Sequence, residues 1–239
     1  MMSKKFIIFG FFLLTSIAFF AQKEKVEYLP TFDKGQIHYG FYLGLNQNDF
    51  KISYNNNSGI PDANITVEPS TGFNVGLIAD LRLHKNLNLR LEPGLMTNSK
   101  KIYFNHLNTP QDSVREVSST YLHIPLIFKF STDRYKNIRP YVLAGVSYNY
   151  NFSSNEANQD DNEQSQFRTT THNYMYEVGV GIDIYLYYFK FSPSIRGIFA
   201  LPSELKKDNP SSFGGKSSPY TAPINYMATR GVFLTLSFE

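Results

Sequence analysis

From Gly72 to Leu95 the chain reads GFNVGLIADLRLHKNLNLRLEPGL. Phe73, Val75, Leu77, Ala79, Leu81 and Leu83 take alternate positions. Asn74, Gly76, Asp80 and Arg82 sit between them, and Ile78 is out of order. After His84-Lys85-Asn86 the alternation resumes, with Leu87, Leu89 and Leu91 against Asn88, Arg90 and Glu92. A period of two puts successive side chains on opposite faces of a strand. The stretch therefore predicts two strands meeting at a tight turn. If the turn centres on Lys85, Asp80 lies directly across from Arg90 and the two make a salt bridge.

The same pattern occurs eight times, near residues 36–46, in the two strands above, and near 117–131, 138–151, 173–186, 189–200 and 231–239. In the sixth strand Tyr174, Tyr176, Val178, Val180, Ile182 and Ile184 oppose Glu177, Gly179, Gly181 and Asp183. In the seventh, Phe189, Phe191 and Ile195 oppose Lys190, Ser192, Ser194 and Arg196. Connections alternate in length. Short turns follow the second, fourth and sixth strands, and long polar stretches such as NFSSNEANQDDNEQSQFRTT follow the others. This predicts an all-β fold, an eight-stranded antiparallel up-and-down transmembrane β-barrel. Its short periplasmic turns, long external loops and periplasmic termini are those of an outer-membrane barrel.

Alternation alone also suits a soluble barrel with an apolar lumen. Three features favour lipid on the apolar side. The polar face mixes glycines (Gly40, Gly44, Gly76, Gly94, Gly145, Gly179, Gly181) with Asp80, Arg82, Arg90, Glu92, Glu177, Asp183, Lys190 and Arg196. Small and long polar residues fill the narrow interior of an eight-stranded barrel, where each charge needs a partner. Those eight charged residues are read as a structural network in the lumen. The opposite face carries Leu, Val, Ile, Phe and Tyr with no Lys or Glu, as the cost of a charge at the bilayer midplane requires. Tyr148, Tyr150, Tyr174 and Tyr176 suit an interfacial girdle. The last strand, GVFLTLSFE, is amphipathic with Phe238 next to last. Outer-membrane barrels commonly end in such a strand, although here Glu239 follows the Phe.

Composition narrows the reading. The 239 residues suit one domain or at most two, and they include 17 Tyr and 21 Phe but no Trp and no Cys. Disulfides, thiol catalysis and a lipidated N-terminal cysteine are thereby excluded. Residues 1–21 have a basic start at Lys4 and Lys5, an apolar core from Phe6 to Phe20, and Ala21 at a cleavage position. They read as a signal peptide. Residues 22–35 are then an N-terminal periplasmic segment, loose or ordered only on contact, and residues 36–239 form the barrel. The formal charge of +3 falls to +1 without Lys4 and Lys5, which gives no reason to expect nucleic acid.

Candidate chemistry is sparse. A filled barrel this small is too narrow for a general porin, so enzymatic work must use the rim. His123 shares a face with Ser119 and Tyr121, here assigned to the lumen, and a Ser four residues away lies about 13 Å off. His123 reads as a satisfied lumenal histidine rather than the base of a lipid A hydrolase. His38, His84 and His106 show no metal-ligand spacing, and Glu156, Asp160, Asp161 and Glu163 lack the order of a calcium loop. Lys85, Lys129, Arg134, Lys136 and Arg139 gather toward the short turns. They could meet an acidic partner, but ordinary turn chemistry explains them. No cofactor is required, and a non-enzymatic role is expected.

Four strings carry a family resemblance: IHYGFYLGLNQNDFKI, the hairpin quoted above, STYLHIPLIFKFSTDRYKNIRPYVLAGVSYNY and YEVGVGIDIYLYYFKFSPSIRGIFAL. They resemble the PorT family (SprT in gliding bacteria), outer-membrane β-barrel proteins of Bacteroidota, from about Gly35 to Glu239. The resemblance implies a role in type IX secretion of proteins bearing a sorting domain, and in gliding motility where present. The barrel would be an accessory or assembly component whose partners are other type IX secretion proteins and outer-membrane lipid. It implies no catalytic or ligand residue. A stand-alone surface barrel for adhesion or resistance and a lipid A-modifying rim enzyme are the alternatives.

Overall fold

The computed structural model describes residues 26–55, 60, 64–107, 113–157, 167–208 and 218–239. The expected leader lies outside them, as do Asp160, Asp161 and Glu163. Ten strand segments follow in order: β1 (Ile37–Tyr54), β2 (Ile65–Pro69), β3 (Thr71–His84), β4 (Leu87–Leu91), β5 (Gly94–Phe104), β6 (Val114–Ser131), β7 (Ile138–Asn151), β8 (His172–Tyr185), β9 (Lys190–Ala200) and β10 (Ile224–Phe238). β2 and β3 form one stave interrupted at Ser70. β4 and β5 form another, interrupted next to Pro93, which has no N–H to give to the ladder. The result is a ring of eight antiparallel staves. β1 closes it by pairing with β10 from Phe41↔Phe238 and with β3 from Ile37↔Leu81.

The hairpin register is the one expected from the sequence, with Asp80 opposite Arg90. Outward positions form an apolar belt: Tyr39 is 74%, Leu77 65%, Phe130 58% and Val180 58% exposed. On β1 the belt runs from Ile37 to Leu45. That is about 26 Å along the strand and about 20 Å once the strand is tilted, close to the apolar height of an outer-membrane barrel. Aromatic pairs line it. Tyr148–Tyr174 (5.6 Å between centroids) and Tyr176–Phe199 (5.0 Å) lie toward the loops, and Phe41–Phe238 (5.1 Å) toward the turns.

Strand ends differ from expectation at the loop end. β1 was expected to stop near 46 and reaches Tyr54, the third stave reaches Phe104, and β10 begins at Ile224. The alternation does not stop there; its polarity reverses. Beyond Leu45 the outward residues are Gln47, Asp49 and Lys51, while Phe50 is buried inside. Beyond Leu95 the outward residues are Thr97, Ser99 and Lys101, with Ile102 and Phe104 inside. The barrel wall thus continues past the belt into water, where its apolar face must turn inward.

Candidate functional site

The interior holds the polar face. Arg90 sits at its centre, fully buried. Its Nε lies 3.3 Å from both Asp80 Oδ2 and Glu92 Oε1, and its Nη2 donates to Glu239 Oε1 at 2.9 Å. Glu92 is gripped by both terminal nitrogens of Arg196, one at 3.1 Å. Arg196 in turn lies 3.9 Å from Glu177. Lys129 donates to both oxygens of Asp183 at 2.7 and 2.8 Å, and Lys190 pairs with Glu239 at 2.8 Å. His123 bridges Glu177 (3.2 Å) and Asn149, deep inside the wall beside Ser119 and Tyr121. Seven of the eight residues proposed for the lumenal network are buried together. Arg82 is not among them. It sits half-buried at the turn end and donates to the Asp33 carbonyl.

Three members of the network were not in that set. Lys129 points inward, although its position near the turns grouped it with the surface cations. Glu239, which breaks the terminal aromatic pattern, is buried with its carboxylate on Arg90 and Lys190. The alternation in β10 already placed it on the inner face. His123 was placed in the lumen, but nothing in the sequence paired it with Glu177 across two strands.

Tyrosines and glycines fill the remaining space. A Cβ on Gly94 would lie 2.2 Å from Tyr42 Oη, and one on Gly181 would lie 2.3 Å from Tyr141 Cζ. The two rings therefore occupy room that only glycine leaves. Tyr42 Oη donates to the Glu92 carbonyl at 3.3 Å.

Both ends are covered. At the turn end residues 26–35 of the N-terminal segment, expected to be either loose or ordered on contact, are docked. Tyr185 Oη donates to Asp33 Oδ1 at 2.6 Å, and Arg139 and Arg134 pair with Asp33 at 3.3 and 3.6 Å. Phe32 stacks on His38 at 4.3 Å and lies under Lys190 Nζ at 4.8 Å. Arg134 also donates to the carbonyls of Tyr28 and Leu29. Much of the basic cluster is thus neutralised internally, with Lys129 on Asp183, Lys85 on Asp133 (2.9 Å), and Arg134 and Arg139 on Asp33. The void among Phe32, Asp33, Arg82, Lys129 and Asp183 measures about 10 Å³, room for about one water.

At the loop end an apolar cluster of Phe50, Ile65, Ile102, Phe104, Phe167 and Tyr220 closes the lumen. The Arg115 guanidinium lies 4.5 Å from the Tyr220 ring centroid and donates to its hydroxyl at 2.7 Å. Burial pushes the Glu204 carboxyl up from its ordinary range, while it accepts from the Thr229 N–H and hydroxyl at 3.0 Å. Farther out, Glu156 accepts the Thr171 N–H at 2.8 Å and pairs with Lys206 at 3.2 Å. That backbone hydrogen bond is the main reason its carboxyl is held below the usual range.

Comparison with known proteins places this architecture. No curated protein sequence matches the chain. Among solved structures it is similar to the outer membrane protein OprG from Pseudomonas aeruginosa, at 15% identity and TM-score 0.47 over 84% of this chain and 92% of that one. AlkL, solved by solid-state NMR in DMPC bilayers, gives 14% identity and TM-score 0.40 over 85% and 91%. The N-terminal β-barrel domain of Pseudomonas aeruginosa OprF gives 12% and 0.28 over 82% and 96%. Residues 20–206 match the profile of the outer membrane protein β-barrel domain. With its closed antiparallel ring, outward apolar belt and polar interior, the chain belongs to the outer membrane protein β-barrel domain family and is an integral outer-membrane barrel.

Proposed function

We propose that this barrel is a non-enzymatic component of the type IX protein secretion system. In this role it is needed for export of sorting-domain proteins and acts through protein–protein contacts. The observation that carries the mode of action is the occupied interior. Ion pairs, tyrosines and two end caps fill the lumen, so work on a cargo falls to the outer surfaces. The assignment to type IX secretion rests on the PorT-like strings across the staves. The turn end is taken as periplasmic, with both termini on that side. It presents Val26, Tyr135, Tyr187 and Tyr188, the last 84% exposed, around the docked N-terminal segment. Exposed aromatics of this kind are suited to anchoring a partner.

A stand-alone surface barrel is the second reading, favoured by the staves that continue past the belt under an apolar cap. Deleting the gene separates the two. Loss of export of sorting-domain proteins supports the secretion role, whereas intact export with lost attachment supports the surface role. Altered lipid A with intact export would point instead to a rim enzyme. Cross-linkers at Tyr135 and Tyr188 then identify the partner. Type IX components should be captured from the turn end and not from the loops.

A further inference from the structure

The outer wall has a dent. An apolar groove of about 760 Å³ lies across β6 to β10 in the half of the belt nearest the turns. This is within the range of small-molecule sites, about 300–1,000 Å³. Pro140, Gly181 and Pro193, with little side chain to project, line it together with the larger Phe130, Val180 and Leu234. The cause is local. The β8–β9 ladder pairs Gly181↔Ser194 and then Ile184↔Phe191, skipping the residues between. Pro193 in that gap has no N–H to donate. The inward-facing Tyr141 and Ser194 also reach the groove, so the wall is thin there.

The groove lies within the hydrocarbon belt, so its neighbour is an acyl chain. Its turn-end margin is charged. Thr132 and Pro140, which line the groove, are bonded to each other (Thr132 N–H to Pro140 O, 3.0 Å) and bracket the β6–β7 turn. Of the cations around that turn, Arg134, Arg139 and Lys85 are paired with carboxylates. Lys136 makes no ion pair among the described residues, and its Nζ lies 5.6 Å from the Tyr135 ring centroid. Its backbone has φ 56°, a conformation that glycine or asparagine adopts at lower cost. Arg134 Nε donates to the Lys136 carbonyl at 2.6 Å and helps hold the turn in this shape. An exposed, uncommitted ammonium beside an interfacial tyrosine, one turn below an apolar groove, matches an anionic headgroup above its acyl chain.

We propose that this groove is a specific site for one anionic phospholipid of the leaflet at the turn end, its acyl chain against Pro140, Gly181 and Pro193 and its phosphate on Lys136. The site is independent of the secretion role. The test uses the purified full-length barrel in detergent, with phosphatidylglycerol and phosphatidylcholine of identical chains as probes, read by native mass spectrometry. One phosphatidylglycerol per barrel should be retained, with a preference of about fivefold over phosphatidylcholine, whose choline ammonium offsets its phosphate, as one lysine beside a net-anionic headgroup provides. K136Q should abolish the preference and leave chain retention. V180W and V142F, which fill the groove from the lipid side, should abolish retention of both lipids, and the gel shift of the folded barrel identifies any variant that fails to fold. Equal retention of the two lipids by the parent, a preference that survives K136Q, or retention unchanged in both folded groove variants would overturn the proposal. So would a photo-cross-linker at position 142 that yields a defined protein adduct in native membranes.

Discussion

Replacing Arg196 with methionine is the sharpest test of the lumen. The Arg196 guanidinium grips Glu92 with both terminal nitrogens and also faces Glu177 at 3.9 Å, all three side chains being buried. At the 3.1 Å of its longer contact, a charge pair in an effective dielectric near 20 is worth about 5 kcal/mol. Desolvation offsets part of that in the intact pair, but removing one partner leaves a buried carboxylate uncompensated, at a cost of about 3–5 kcal/mol. The barrel is refolded into lipid vesicles and titrated with urea, followed by circular dichroism and by the gel mobility difference between folded and unfolded chain. With a slope of about 2–3 kcal/mol per molar, the midpoint should fall by about 1–2.5 M. The double variant Arg196→Met/Glu92→Leu removes both charges and should recover part of the loss. Recovery stays incomplete because Arg90 also lies 3.3 Å from Glu92. An unfolding free energy for Arg196→Met within about 0.5 kcal/mol of the parent would refute the reasoning, as would a double variant equal to the sum of the singles.

Leu77→Arg puts a charge on the belt, where Leu77 is 65% exposed, and should destabilise the vesicle-embedded barrel by about 2–4 kcal/mol, while Lys51→Leu beyond the belt should change it little. Asp33→Asn removes the carboxylate that pairs with Arg139 and Arg134. Amide exchange of residues 26–35 should then accelerate while exchange in β7 and β8 stays slow. Glu156, held below the usual carboxylate range by the Thr171 N–H and then Lys206, should hold Thr171 at neutral pH. A depressed folded pKa contributes stability above the unfolded value, and that stability is lost as pH falls through the folded one. NMR of the Thr171 amide should therefore be constant at neutral pH and shift only below the ordinary glutamate range, and Glu156→Gln should abolish that titration.

The ring was legible because the bilayer forces period two onto every stave. Phe73, Val75 and Leu77 have to face one way and Asn74 and Gly76 the other, and the short turn then fixes Asp80 against Arg90. Pairings between distant staves were not legible. Glu92 meets Arg196, and Glu177 meets His123, only once the sheet has closed, and no local spacing encodes that. The extensions were missed for a different physical reason. Looking for outward apolar residues finds the membrane, not the strand, and past Leu45 and Leu95 the sign of the pattern changes while its period does not. A charged, proline-containing segment reads as loose or as ordered on contact, and the contact that orders residues 26–35 is hidden until Arg134, Arg139 and Tyr185 are brought round to Asp33.

The polarity reversal also bears on how the barrel meets other molecules. Below Leu45 the wall is greasy outside and ionic inside, so its outer partner is hydrocarbon, and a polar contact there would lose its hydration without gaining a partner. Above Leu45 the wall is wet outside, and inside it an apolar cluster packs around a few buried charges, Lys100, Arg115 and Glu204. Its surface carries Asp49 paired with Arg230 at 2.8 Å, together with Lys51 and Lys101, and exposed pairs of this kind contribute little stability. That region can change partners at small cost to the fold. The turn end is different again. Its aromatic rim surrounds a segment held by Asp33, and a protein that competed for Arg134 and Arg139 would have to displace that segment. Charge at position 33 therefore separates the two surfaces: Asp33→Asn should strengthen capture of an acidic partner at the turns and leave contacts at the loops unchanged.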